Sequence, residues 1–355
     1  MQRTVTTQDE LFQYLFESNC FAPYYPASRG PRHRRGPSGF AVPAAWKFEN
    51  LKHGLHELDR FFPLGQGRRN LTLMNPALKE IVPSICSTLA SGVQMVKPGE
   101  IAATHRHYPN AFRFVLEAPA DGAYTVVMGV KLTMRPFDII LTPSRTWHDH
   151  HNEGKSDVIW LDGLDIPLLE WMGISLYEEE YKGEHPMKDG EEERQAIERS
   201  SEELLAEYGS GMKPEASGTL DLYNPLFIYP YVRAKAAISK LAETSSSNGV
   251  VMEYKNPVNA GPLMPTMSFK LHLVKPKSSA QYVPRTENSV FVGIEGNAIM
   301  DVANGKEKFD IGSRDIAVIP ASNPYTVTNS GDAPLIMFSF SDAPIFRAAG
   351  VYREG

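Results

Sequence analysis

Cysteine is almost missing from this sequence: 355 residues hold only Cys20 and Cys86. That excludes a disulfide framework and any zinc module built on cysteine pairs. No run of 18 apolar residues occurs, so no segment is a candidate membrane-spanning helix. The opening MQRTVTTQDELFQYLF lacks the apolar core of a secretory signal and carries Asp9 and Glu10 early. There is no basic excess either. Lys and Arg number 36 against 42 Asp and Glu, a net charge of −6, so nothing global invites nucleic acid or an anionic membrane. Glycine and proline, 27 of each, follow no repeat, which excludes a collagen-like chain and suits turn-rich β structure. A soluble, cytoplasmic protein with no nucleic-acid or membrane partner is expected.

What is present falls into blocks, and the length suits about two domains. Asp9–Phe16 reads as a short amphipathic helix with Thr7 as its cap. Residues 23–39 form a proline-rich loop carrying Arg29, Arg32, His33, Arg34 and Arg35, read as a solvated loop or a partner contact. From 88 to 165, short apolar or alternating runs (GVQMVKPGE, FRFVLEAPADG, YTVVMGV, DIILTPS, VIWLDGLD) recur between Gly, Pro and Asp, the pattern of a β-sandwich or barrel. Residues 170–218 turn polar and acidic and read as helix and linker. Residues 228–243 have helical periodicity, with Tyr231, Ala234, Ile238 and Leu241 on one face. After Asn248 the β pattern returns.

It returns as a repeat. Val96-Lys97-Pro98 matches Val274-Lys275-Pro276, 178 residues later, while Asp138, Pro143, His148 and Asn152 match Asp315, Pro320, Tyr325 and Asn329, 177 later. The expected organisation is an irregular helical segment 1–87, a first β module 88–168, an acidic helical linker 169–247 and a second β module 248–355.

The first module concentrates histidine. On a strand the side-chain period is 2, so His105 and His107 face the same way and can share one ion. Some forty residues on stand His148, His150 and His151. Strands between the two clusters can fold the second back beside the first. Three imidazoles would hold a divalent first-row metal and leave coordination positions open, which is the pattern of a catalytic site.

Gly99-x5-His105-x-His107 and Pro143-x4-His148-x3-Asn152 resemble the two motifs of the cupin barrel. The glutamate usual in the first motif is missing, since Ala111 and Phe112 stand there. A finer similarity is to the gentisate 1,2-dioxygenase family, which includes salicylate and 1-hydroxy-2-naphthoate dioxygenases. It is carried by RRNLTLMNPAL (68–78), PGEIAATHRH (98–107), NAFRFVLE (110–117), GAYT (122–125), DIILTPSRTWHDHHN (138–152), WLDGLDIP (160–167) and FSFSDAPIFRAAGVYREG (338–355).

The resemblance implies an all-β bicupin, two jelly-roll barrels with a helical N-terminal segment and linker. It implies Fe(II) held by His105, His107 and His148. It makes Arg69, Gln94, Arg113, His150 and Asp162 substrate-contacting candidates, with Arg113 gripping a carboxylate and His150 moving a proton. The reaction implied is insertion of O2 into a hydroxylated aromatic acid, with cleavage between the hydroxyl- and carboxyl-bearing carbons. Salicylate, 1-hydroxy-2-naphthoate or a larger phenol are alternative substrates. A non-catalytic aromatic-acid-binding cupin is the alternative class. Tyr108, Phe112, Ala118, Arg145 and His151 depart from the family's usual residues and are expected to include pocket-lining positions. At the repeat positions the second module has Val283, Arg285 and Tyr325, so that barrel is expected to hold no metal. A homotetramer is implied, with the tail ending in VYREG expected to reach a neighbour.

Overall fold

The computed structural model describes residues 6–17, 41–61, 69–79, 83–179, 194–210 and 222–355. The basic loop around Arg29–Arg35 and the acidic run 180–193 lie outside the described residues. Two units emerge from the contacts, residues 1–38 and 39–355. In the first, α1 spans Gln8–Glu17, and its Glu10 N–H donates to Thr7 Oγ1 at 3.2 Å, the cap expected from sequence.

The second unit opens with β1 (Ala44–Trp46), α2 (Phe48–Phe61) and β2 (Arg69–Thr72). The first barrel follows: β3 (Ala90–Val96), β4 (Ile101–His107), β5 (Ala111–Glu117), β6 (Ala123–Val127), β7 (Val130–Thr133), β8 (Ile139–Thr142), β9 (His148–Asn152) and β10 (Val158–Leu164). Then come α3 (Ile166–Trp171), β11 (Tyr177–Glu178), β12 (Arg199–Ser200), α4 (Ser201–Tyr208), β13 (Ile228–Tyr229), α5 (Tyr231–Thr244) and β14 (Gly249–Glu253). The second barrel is β15 (Ser268–Val274), β16 (Ser278–Tyr282), β17 (Ser289–Glu295), β18 (Ala298–Val302), β19 (Glu307–Ile311), β20 (Ile316–Ile319), β21 (Tyr325–Asn329) and β22 (Leu335–Ser341), closed by α6 (Ala343–Ala348).

The repeat in the sequence is a repeat in space. Strand order β13-β8-β5-β10-β3-β2 in one sheet of the first barrel matches β1-β20-β17-β22-β15-β14 in the second. The facing sheets, β4-β9-β6-β7 and β16-β21-β18-β19, match as well, except that β11 and β12 extend the first. Edge strands are exchanged: β1 precedes the first barrel but pairs with β20 of the second, whereas β13 precedes the second and pairs with β8 of the first. Each following helix is anchored by a barrel aspartate at the repeat position. Phe48 N–H donates to Asp315 Oδ1 at 2.9 Å, and Tyr231 N–H to Asp138 Oδ1 at 2.8 Å.

The two long sheets pack on each other through Phe112, Phe114, Phe269, Phe338 and Phe340, all in one continuous core. The Phe112 ring meets the Phe269 and Phe340 rings at 4.7 Å, and Phe114 stacks on Phe338 at 4.2 Å. Burial on both faces explains why FRFVLE and FSFS read as apolar runs rather than as alternation. Gly163 is required in this contact: a Cβ there would fall 2.2 Å from the Phe112 ring. The barrels are also clamped reciprocally. Asp165 accepts from Asn110 and from Thr266 Oγ1, and Asp342 from Asn288 and from Thr88 Oγ1, each threonine reaching in from the segment that leads to the other barrel.

One expectation changes. Leu241 is 42% exposed and Ala242 takes the buried place on α5, because the position four residues past the buried Ile238, not three, returns to its face. The tail lies along its own barrel: Arg353 N–H donates to Thr286 Oγ1, Gly355 N–H to the Pro284 carbonyl, and Glu354 pairs with Arg285 at 2.7 Å. Among the described residues no helix is long and apolar enough to cross a membrane.

Candidate metal centre and substrate cavity

β4 and β9 are antiparallel neighbours with His105 opposite His148, so the motifs forty residues apart in sequence meet directly. One ring nitrogen each from His105, His107 and His148 lies within 4.8 Å of the others. Among the described residues this is the group of at least three potential ligands able to hold a metal. The other nitrogen of each ring is committed. Nδ1 of His105 meets the Ala103 carbonyl at 3.0 Å, Nδ1 of His107 the Pro109 carbonyl at 2.7 Å, and Nδ1 of His148 the Thr146 carbonyl at 2.9 Å. A carbonyl only accepts, so each Nδ1 carries the proton and each Nε2 keeps its lone pair. Nε2 of His148 is buried with no hydrogen-bond partner among the described residues. Burial first, then the neighbouring His105, Arg113, His107 and His150, hold the His148 pKa well below the usual histidine range. Neutral imidazoles with fixed tautomers are what a divalent cation requires of its ligands, so the trio fits a metal.

The facing sheet supplies the opposite wall. Gln94 on β3, Arg113 on β5 and Asp162 on β10 sit on adjacent strands, with Asp162 directly opposite Arg113 and Trp160 opposite Gln94. Together with His105, His107, Asn70, Leu164, Ile166, Glu170, Leu176 and Tyr177 they line a cavity of about 280 Å³. The Arg113 guanidinium is buried, donates to Thr142 Oγ1 and lies 3.5 Å from Asp162 Oδ1. Asp162 is itself fixed by Trp160 Nε1–H at 2.9 Å. The Gln94 side-chain nitrogen is buried without a partner among the described residues, on the cavity wall. His150 sits beside the trio, its ring 5.7 Å from His148 and 5.0 Å from Trp160, with Nδ1 2.8 Å from Thr125 Oγ1.

Of the sequence-derived candidates, His105, His107, His148, Gln94, Arg113, Asp162 and His150 are brought together. Arg69 is not. Its guanidinium is spent on Glu100, through two hydrogen bonds of 2.7 and 2.8 Å, and on Asp59 at 2.7 Å. β2 pairs with β3 so that Asn70, not Arg69, stands opposite Gln94 and faces the cavity. Tyr108, Phe112, Ala118, Arg145 and His151 are absent from the lining as well. Phe112 belongs to the inter-barrel core, and His151 points to the outer face, paired with Asp149 at 2.9 Å and stacked on Tyr124. Tyr177 and Glu170, which do line the cavity, follow the last motif in a segment whose sequence carries no signal of a site.

In the second barrel the repeat positions hold different chemistry. Tyr325 stacks on Tyr282 at 4.6 Å, Arg285 pairs with the tail, and His272, at the repeat position of Gln94, bonds Ser339 Oγ at 2.7 Å. Burial pushes the His272 pKa down to about 3.

Comparison with known proteins agrees with this geometry. Residues 92–164 match the model of the Cupin domain. The chain is 35% identical to a 5-aminosalicylate 1,2-dioxygenase of Comamonas sp over 82% of its own length and 74% of that protein's. It is 33% identical to gentisate 1,2-dioxygenase 1 of Aquipseudomonas alcaligenes over 99% and 97%. The crystal structure of a salicylate 1,2-dioxygenase from Pseudaminobacter salicylatoxidans superposes with a TM-score of 0.83 at 26% identity, covering 100% of this chain and 99% of that one. A duplicated cupin fold, a three-histidine centre facing a buried arginine, and this degree of identity over most of the chain place the protein in the family of gentisate, salicylate and 1-hydroxy-2-naphthoate 1,2-dioxygenases, the cupins that cleave aromatic rings with dioxygen.

Proposed function

We propose that this chain is an Fe(II)-dependent, extradiol-type dioxygenase. It opens a hydroxylated aromatic acid of the gentisate kind between the carbons bearing the hydroxyl and the carboxyl group. The observation that carries the reading is the three-histidine group facing Arg113 and Gln94 across one cavity. Both atoms of O2 enter the product, one ring carbon–carbon bond breaks, and no external reductant is consumed. A ring closed in its electron shells reacts slowly with dioxygen, and bound iron would supply the redox chemistry that zinc lacks. The remaining work belongs to the protein. Arg113, whose planar guanidinium is held in place by Thr142 and Asp162, orients the substrate carboxylate. The Gln94 amide donates to a substrate oxygen, meeting its own unsatisfied donor. His150, steadied by Thr125, holds or delivers a proton beside the reacting carbons. Leu164, Ile166 and Leu176 exclude water.

The test is oxygen uptake with ultraviolet monitoring of ring opening, on iron-loaded protein offered gentisate, 5-aminosalicylate, salicylate and 1-hydroxy-2-naphthoate. Uptake of one O2 per ring opened, with gentisate among the best substrates, is expected. Tight binding of these acids without oxygen uptake would instead mark an aromatic-acid-binding cupin.

A further inference from the structure

Among the described residues, the strand that roofs the histidines has no counterpart in the second barrel. β11 adds to the edge of β4, with Tyr177 opposite His107 and Glu178 opposite Arg106, whereas β16 ends its sheet. Only two residues long, β11 depends on its few attachments. The Tyr108 N–H donates to the Leu176 carbonyl at 3.0 Å, and Arg106 forms an ion pair with Glu178, both side chains about one-third exposed. This strap carries the Tyr177 ring to 5.3 Å from His105 and, tilted by only 15°, to 6.4 Å from His107. Tyr177 is 51% exposed and yet lines the cavity, so its ring forms part of the wall between the histidines and the outside.

We propose that Tyr177 is a substrate-contacting residue that sets how large a ring system the cavity admits. The proposal rests on the reading that the cavity holds an aromatic acid. Such an acid, gripped by Arg113 and Gln94 on one wall, has the histidines and the strap as its other boundary. A flat π face there favours an aromatic ligand by about 2–10-fold in affinity. The volume, about 280 Å³, lies near the lower end of small-molecule pockets, roughly 300–1,000 Å³, so the loss of one wall ring changes which acids fit. An aromatic ring packed on His107 merely to hold the imidazole would be indifferent to the size of the ligand.

The experiment is calorimetric binding in the absence of oxygen, on metal-loaded full-length protein, of gentisate and of 1-hydroxy-2-naphthoate. Wild type, Tyr177→Phe, Tyr177→Ala and Glu178→Gln are compared, with metal content measured on each. Tyr177→Ala should lose about 5-fold in gentisate affinity and shift its preference toward the two-ring acid by a similar factor. Tyr177→Phe should stay within about 2-fold, since it keeps the face. Glu178→Gln, which loosens the strap without altering the ring, should move in the direction of the alanine variant. Unchanged affinities in Tyr177→Ala overturn the proposal, and so does loss of metal in that variant, which would make the ring a support for His107. Because binding is read without turnover, failure of ring opening would overturn the functional reading alone. A wild type that binds neither acid overturns both.

Discussion

At the scale of single residues, the centre is built by pairing every reactive group with a neighbour that leaves it one task. Each histidine of the trio gives its Nδ1 proton to a carbonyl two residues away along the chain, a contact that the local strand conformation fixes before any metal arrives. Arg113 is different, since its partners Thr142 and Asp162 come from the strands on either side of it. Truncating Arg113 to Ala takes a buried cation from beside the buried Asp162 carboxylate and removes the proposed anchor of the substrate carboxylate. Losses of about 2–5 kcal/mol are usual when a buried charge loses its partner. Equilibrium titration of Arg113→Ala should therefore show substrate affinity falling by about 30-fold to several-thousand-fold while the metal content is unchanged. Normal affinity would place the anchor elsewhere. His148→Ala would remove one of the three proposed ligands, and metal analysis should find the variant depleted.

Elements are tied to the barrels by charges whose settings differ even where the geometry repeats. Asp315 and Asp138 accept the first N–H of α2 and α5 respectively, but Asp315 also has Lys47 Nζ at 2.7 Å, while Asp138 Oδ2 is buried without a partner among the described residues. Burial pushes the Asp138 pKa up to about 6, against a usual 3.8. A carboxyl whose folded pKa is raised binds its proton more tightly in the native state. Its contribution to stability is complete below pH about 4 and is lost as pH rises through about 6. Asp138→Asn keeps an acceptor for the Tyr231 N–H and removes the titration. Denaturant unfolding should show the variant gaining on wild type by on the order of 2–3 kcal/mol between pH 4 and 7. Identical pH profiles would mean that Asp138 is solvated or paired in solution.

For the whole molecule, the exchanged edge strands and the shared phenylalanine core make the two barrels one cooperative body. The Thr88–Asp342 and Thr266–Asp165 contacts cross between them at buried carboxylates, both with pKa values raised first of all by burial. Thr266→Val deletes one clamp and should cost about 1–3 kcal/mol, the penalty of an under-satisfied buried acceptor. It should do so within a single unfolding transition, and two resolved transitions would show that the barrels fold separately. Metal analysis should find about one iron per chain, because Val283, Arg285 and Tyr325 offer no ligand set where the first barrel has its histidines. A homotetramer is the expected assembly. Light scattering at micromolar concentration checks it, and a mass near 39.5 kDa would reject it.

Local pattern was enough for the histidine phase, the strand runs, the repeat and the Thr7 cap, because each depends on residues a few positions apart or on a side-chain period of 2. They bring His105 and His107 to one face, but that His148 rather than His150 or His151 joins them is implied only by the family resemblance, and the pairing of β4 with β9 puts it there. Arg69 shows where local pattern stops. It and Asn70 are adjacent in a four-residue strand, and only the pairing of β2 with β3, together with Asp59 and Glu100 approaching from elsewhere, turns Asn70 to the cavity and ties Arg69 outside it. Phe112 is among the departures from the family's usual residues expected to include pocket positions, but period 2 sends it to the face opposite Arg113, where the second barrel's Phe269 and Phe340 receive it. The exchange of β1 and β13, the tail folded onto its own barrel, and Tyr177 over the histidines all join segments far apart in the chain. Such contacts depend on which surfaces meet when the sheets close, and that is decided by packing in three dimensions rather than by any pattern along the chain.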